Sequence, residues 1–187
     1  MNRNKGKTEK QMENELNPKA LFPFSCGLYI VATAWEDKLD GQVANTVMQL
    51  TANPISIAVC LHKDNYTTEL VTKSKKFSVS VFSNEVPLPF IGNFGFRSGR
   101  ECDKFAKCDY VVTKFGLPVI TEYTVAAIEA EVTDMMDIET HRLFVGILKS
   151  TYVISDGAQP LTYADYHKLK KGKAHINAPT VVFNFLR

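Results

Sequence analysis

The sequence predicts a mainly β fold: an antiparallel barrel of Greek-key type with short flanking helices. Three observations lead there. Short runs rich in Val, Ile, Thr and aromatic residues recur along the chain, turn-forming residues separate them, and no regular strand-helix alternation is present to build a parallel sheet. A closed or partly closed barrel also disposes of exposed sheet edges.

Residues 1–19 are polar and charged, a leader expected to be frayed or a short solvated helix, and residues 20–187 read as a single domain. The first strands are expected in GLYIVATAW (27–35), QVANTVMQL (42–50), ISIAVCL (55–61) and FSVSVFS (77–83), with turn chemistry in DKLDG and TANP between them. NYTTELVTKSKK (65–76) opens on Asn and Thr and carries Leu70 and Val71 among polar residues, which predicts a short helix. A second helical piece is expected near 84–93, kept brief by two prolines. YTVAAIEAEVTDMMDI (123–138) and HRLFVGILKSTYVI (141–154) predict two long strands joined by a turn in DIET, because Val125, Ala127, Ile128, Ala130 and Val132 largely alternate. Gly157 and Pro160 then turn the chain into a polar, aromatic segment and a terminal strand, VVFNF.

At 187 residues and 45% hydrophobic content there is enough chain for one sizeable core. Lys plus Arg is 22 against 20 for Asp plus Glu, a net charge of +2 with no basic block beyond KSKK, which argues against a general nucleic-acid binder. The cysteines at 26, 60, 102 and 108 form no CxxC pair, and neither they nor the four histidines have metal-ligand spacing, so no metal is expected. Cys60, in an apolar run, reads as a small buried hydrophobe. Neither a signal-peptide core nor a membrane-length apolar stretch is visible, so the reading is cytoplasmic with reduced thiols, and no membrane partner. GxGxxG, the phosphate-loop signature, the nucleophile elbow and HExxH are all missing.

Three stretches carry candidate chemistry. In a single strand over VANTVMQLT (43–51), Asn45, Val47 and Gln49 would face one way and Thr46, Met48 and Leu50 the other, suiting either the rim of a flat heteroaromatic site or a strand edge meeting water. In LHKDNYTTE (61–69), Asn65, Thr67 or Thr68 and the first-turn amides, with Lys63 nearby, would hold an anion; plain helix capping by Asn65 explains the same residues. In FGFRSGRECDKF (94–105), Arg97, Arg100 and Lys104 with Gly95 and Gly99 would receive phosphate or carboxylate oxygens, or else face water with Glu101 and Asp103 neutralising their neighbours. Phe94, Phe96 and Phe105 there form either a stacking wall or anchors to the core. His141 opens a strand and is a candidate proton carrier, with weaker cases for His62, His167 and His175. Tyr163 and Tyr166, three apart, would share one face of a helical turn and either cover a ligand or seal the end of the barrel.

Taken in order, ANTVMQLT, NYTTELV, IGNFGFRSGRECDKF, HRLFVGIL and PLTYADYHKLKKGKAHINAPT resemble the flavin reductase-like FMN-binding split-barrel family. The likeness is greatest to its flavoredoxin branch and to the flavin domain of high-molecular-weight rubredoxins, and runs from about Phe22 to the C-terminus. It implies a homodimer with FMN at the subunit interface. NADH or NADPH would pass hydride to the FMN, and electrons would go on to a flavin or flavodoxin-like protein, a rubredoxin or an iron-sulfur partner. A noncatalytic FMN carrier and a flavin-free binding module are the alternatives.

Carried onto this chain, the resemblance places Asn45, Thr46, Val47, Met48 and Gln49 along the isoalloxazine, and Lys63, Asn65 and Thr67 at the ribityl phosphate, with Leu61, His62 and Tyr66 beside them. Phe94, Arg97 and Ser98 join the site from the loop, Lys104 and His141 are the catalytic candidates beside the flavin, and Tyr163 and Tyr166 cover it. The chain departs from the branch at His175 and Ile176, where proline and lysine are usual, and at Ile147, where glutamate is common.

Overall fold

The computed structural model describes Phe24 and residues 26–179. The leader and the predicted terminal strand VVFNF lie outside the described residues.

Strands β1 (Tyr29–Trp35) and β2 (Lys38–Ala44) form a hairpin turned at Glu36 and Asp37, where Glu36 adopts φ 53°. DKLDG therefore contributes only its first residue to the turn, and Lys38 to Gly41 are already paired with β1. The predicted strand over 42–50 is two strands, because β2 ends at Ala44 and β3 (Val47–Ala52) begins after Asn45 and Thr46. β4 (Ile55–His62) pairs back on β3, helix α1 (Tyr66–Ser74) follows, and β5 (Lys76–Phe82) returns to β1. Helix α1 stops where Lys75 turns left-handed, φ 57°, and its amide bonds the Val71 carbonyl.

Helix α2 (Leu88–Gly95) starts later than the sequence suggested, since Pro87 at its N-cap and Pro89 in its first turn fit only a helix beginning there. Strands β6 (Tyr110–Val112) and β7 (Pro118–Ile120), a small hairpin, were not anticipated. The long strands β8 (Thr124–Ile138) and β9 (His141–Val153) and the short helix α3 (Tyr163–Lys168) complete the described fold. A register shift between Glu129 and Ala130 explains why burial on β8 does not alternate strictly: Ala127, Glu129 and Ala130 are all buried.

The main sheet has seven antiparallel strands in the order β2-β1-β5-β8-β9-β4-β3. Its first and last strands are thus joined by just Asn45 and Thr46. Three Cα steps reach about 11 Å, whereas six inter-strand spacings laid flat need about 29 Å. The sheet must therefore curl until β2 and β3 meet at one end, leaving a seam where no ladder pairs them.

The interior confirms the curl. Val31 of β1, Ala44 of β2, Val59 and Leu61 of β4, Phe77 and Val79 of β5, Ala130 of β8 and Phe144 of β9 pack into one cluster with Val71 of α1. Only a rolled sheet brings such distant strands together. Ile30 and Ala32, on the opposite face of β1, join a second cluster with Phe82, Ile91, Phe94, Phe105 and Ile120, under α2 and the loop that follows it. Among the described residues no helix is long and apolar enough to cross a membrane.

Candidate functional site

A cavity of about 340 Å³ lies along the free edge of β2, within the size range of small-ligand sites. Its wall brings together three segments singled out in the sequence: Asn45 at the seam, Asn65, Tyr66 and Thr67 at the start of α1, and Phe94, Arg97, Ser98 and Lys104 after α2. His62 on β4 and Tyr163 and Tyr166 on α3 also line it. The Tyr163 and Tyr166 rings stack with centroids 6.1 Å apart, and Tyr166, 4% exposed, donates its hydroxyl to the Lys173 carbonyl at 2.9 Å.

Several expected residues stand elsewhere. Thr46, Val47, Met48 and Gln49 do not line the cavity, because the seam carries β3 away from β2. Met48 is 54% exposed, and Gln49 donates its side-chain amide to the Thr51 carbonyl at 3.1 Å. Leu61 is a core residue, pointing into the barrel interior. Lys63 lies on a separate surface groove with Lys73, Arg142 and Arg100, the last of which borders both. Phe94 and Phe105 are buried anchors, so of the three loop phenylalanines only Phe96 is open to solvent.

Lys104 lines the cavity, yet its charge is already matched. Its ammonium is ion-paired with Asp40 Oδ1 at 2.7 Å and donates to the carbonyls of Gly41 and Arg97. The other Asp40 oxygen accepts from Thr67 Oγ1 at 2.6 Å. Thr67 is therefore not a free hydroxyl donor, and Lys104 is not a free cation. The sequence reading missed this pair because it took Asp40 for a turn residue. Gly99 is required here: a Cβ on it would lie 2.2 Å from Asp40 Oδ1. Arg97 and Arg100 are exposed; Arg97 donates to Asn93 Oδ1, while Arg100 pairs with Glu69 at 2.8 Å across the face of Tyr66.

Asn65 occupies the N-cap of α1 without capping it. Its Oδ1 instead accepts from Asn177 Nδ2 at 2.9 Å. The first-turn amides, which have no intrahelical acceptor, thus receive no side-chain cap at a helix start that borders the cavity. Plain capping, the alternative open in the sequence, does not account for Asn65.

The histidines are not scattered. His62 and His141 are cross-strand neighbours on β4 and β9 with ring centroids 5.0 Å apart, and His175 lines the same cavity. His141 does not itself line it, but its Nε2 donates to the Asn177 carbonyl at 3.2 Å while its Nδ1 accepts from Thr140 Oγ1 at 2.8 Å. His175 Nδ1 accepts the Asn177 backbone amide at 3.1 Å. Burial holds the pKa values of His141 and His175 below the usual histidine range, with His62 adding to the effect on each. Among the described residues no group of three or more His, Cys, Asp or Glu is arranged to hold a metal ion.

The segment 171–179 closes one side of the cavity with Lys173, Ala174, His175 and Asn177. Cys60 and Gln42 also line it, neither expected from the sequence. Cys60 is half-buried, and desolvation raises its thiol pKa, so it is held as the neutral thiol. Gln42 Oε1 is buried without a hydrogen-bond partner.

Residues 22–171 match the family described as flavin reductase like domain. The chain is similar to the ferric-chelate reductase (NAD(P)H) of Archaeoglobus fulgidus, 47% identical over 168 residues that span 90% of this chain and 98% of the relative. It is 43% identical over 165 residues to the high molecular weight rubredoxin of Moorella thermoacetica, covering 88% of this chain and 72% of that one. The FMN-binding protein of Thermus thermophilus shares the fold with a TM-score of 0.64 at 25% identity, over 69% of this chain and 72% of its own.

Proposed function

Because this chain belongs to the flavin reductase-like family and is an oxidoreductase of that type, we propose that its cavity holds FMN, which NADH or NADPH reduces and from which a redox partner draws electrons. The observation that carries this reading is the uncapped start of α1 beside Arg97 and Arg100 on the cavity rim. Together they offer a phosphate the backbone amides, the exposed Arg97 guanidinium, and those N–H groups of Arg100 that Glu69 and Asp64 leave unused. The rest of the wall suits a flat heteroaromatic ring: an aromatic pair in Tyr163 and Tyr166, and a polar edge along β2. Bound FMN would supply the exchange between two-electron and one-electron steps that the side chains themselves cannot perform.

Asn65 and the first-turn amides orient the phosphate, and Tyr163 excludes water from the ring. Lys104 acts through Asp40 to fix the loop after α2, so its contribution is positional. Neutral His141 keeps segment 171–179 in place through Asn177 and stands beside His62, a route for a proton to reach the cavity. A second copy of the chain accounts for Thr46, Val47, Met48 and Gln49. Met48, Leu50 and Ile55 are exposed apolar residues of β3 and β4 that a homodimer would bury, bringing these residues to the partner's cavity. Similarity to a rubredoxin and to a ferric-chelate reductase favours a ferric acceptor, protein-bound or chelated.

The deciding experiment is an anaerobic visible spectrum of FMN-reconstituted protein, freed of unbound FMN, before and after NADH and then NADPH. Prompt bleaching is expected. Bands that resist both nucleotides but bleach with dithionite would point to an electron carrier, and failure to retain flavin would remove the cofactor assignment.

A further inference from the structure

Four of the six residues from Lys168 to Lys173 are lysines, in a stretch that leaves the cavity wall after Tyr166 and rejoins it at Lys173. Its backbone is fixed by hydrogen bonds. The amides of Leu169 and Lys170 donate to the Asp165 carbonyl, the Gly172 amide donates to the Tyr166 carbonyl at 3.0 Å, and His167 Nδ1 donates to the Gly172 carbonyl at 2.9 Å. Lys168, Lys171 and Lys173 are exposed and Lys170 is half-buried, and none of the four pairs with a carboxylate among the described residues. Asp165 is the one acidic residue between Gly157 and Arg187. The whole chain carries +2, so without these four lysines it would carry −2. Two apolar side chains accompany the charges, Leu169 at 69% and Ile176 at 61% exposed. Lys168, Lys170 and Lys171 line neither the cavity nor the groove beside Lys63, so they stand on an outward-facing rim.

We infer that residues 168–176 are the docking face for a small acidic protein that carries a one-electron ferric centre. Its carboxylates meet the four ammonium groups, and Leu169 and Ile176 are buried on contact. The inference rests on the reading of the cavity as a flavin site with a ferric acceptor, and selects the protein-bound acceptor over the chelated one. A small anion needs a concave site, which this rim does not offer, whereas spread charge with apolar groups between suits the broad face of a second protein. Position serves the chemistry. Lys173 belongs to both the rim and the cavity wall, so a partner seated here abuts the site that electrons leave. The electron count asks for two encounters per nucleotide: hydride brings two electrons, two ferric centres take one each, and the remaining proton goes to water. Repeated encounters favour fast association and fast release, which charge steering supplies and a large apolar interface does not.

The test pairs two acceptors with two proteins. FMN-reconstituted protein, reduced with NADH under anaerobic conditions, is mixed with an acidic rubredoxin or with Fe(III)-EDTA, for wild type and for the triple variant Lys168→Gln, Lys170→Gln, Lys171→Gln. In about 20 mM salt the triple variant should reduce rubredoxin about tenfold more slowly, and the gap should close in about 0.5 M salt. Its bleaching by NADH should match wild type, and its reduction of Fe(III)-EDTA should stay within about twofold. Leu169→Ser should slow rubredoxin reduction in both salts, since it removes buried apolar area and no charge. Titration calorimetry of rubredoxin into the flavin-free chain reads docking without electron transfer, and wild type should bind about tenfold more tightly than the triple variant in low salt. Equal affinities in the two proteins would overturn the docking face. An equal loss of rate for rubredoxin and Fe(III)-EDTA would overturn it too, by assigning the lysines to a small anion. Wild type that retains no flavin would overturn the cofactor reading alone, because the calorimetric arm needs none.

Discussion

Lys104 Nζ lies 2.7 Å from Asp40 Oδ1, with the two side chains 3% and 1% exposed, 64 residues apart in sequence and brought together between β2 and the loop after α2. Breaking a buried pair from one side strands the other charge. Lys104→Ala should therefore destabilise the protein by about 3–5 kcal/mol, read from urea unfolding. The double variant Asp40→Asn, Lys104→Met should recover a large part of that loss. A single variant as stable as wild type would contradict the burial of the pair.

Acid should loosen the segment 171–179. Burial depresses the His141 and His175 pKa values, so the unfolded chain binds protons that the folded one resists. Their contribution to stability is then complete above the ordinary histidine pKa of about 6.5 and is lost as pH falls through the lowered folded values. His175 Nδ1 also cannot accept the Asn177 amide once protonated. Melting temperature should drop between pH 7.5 and 5.5, and His141→Gln with His175→Gln should flatten that slope.

The bond between Asn65 and Asn177 joins α1 to the cavity wall, so Asn65→Ala and Asn177→Ala should each speed tryptic cleavage at Lys170, Lys171 and Lys173. The effects should not add, because either change removes the same contact. Far-UV circular dichroism should change little in Asn65→Ala, since its side chain does not cap the helix. Additive cleavage rates would show that the two residues act separately.

Gly172 meets the buried ring of Tyr166, where a Cβ would come within 2.1–2.5 Å of three ring carbons. Gly172→Ala should cost about 1–3 kcal/mol by overpacking and raise the dissociation constant for FMN by displacing Tyr166. Gly116→Ala, at φ 82° with no atom near its Cβ, is the control: backbone strain alone, and no effect on FMN binding. Equal FMN dissociation constants for wild type and Gly172→Ala would detach Tyr166 from the ligand.

Much of the fold was legible because its strands advertise themselves locally. The runs over 27–35, 55–61 and 77–83 and the pair 123–138 and 141–154 lie within a few residues of β1, β4, β5, β8 and β9. The break at Asn45 and Thr46 was not legible, since one strand-depleted residue, Asn45, sits between β-prone runs, and it is the sheet order, with β2 and β3 at opposite ends, that separates them. At the site, the loop 94–105 and the start of α1 could be picked out by composition. What each side chain does there could not: Lys104 reads as a free cation until Asp40 is placed beside it, and Asn65 reads as a cap until Asn177 is. His62 and His141 look unrelated across 78 intervening residues, yet they are partners in one ladder.

The seam between β2 and β3 separates two kinds of selection. Residues that hold the barrel shut lie on ladders running the other way round the sheet, while the connection across the seam carries Asn45 and Thr46, of which Asn45 borders the cavity. Substitutions at Asn45 and Thr46 leave every ladder intact, so this part of the cavity rim is free to vary while the scaffold is kept.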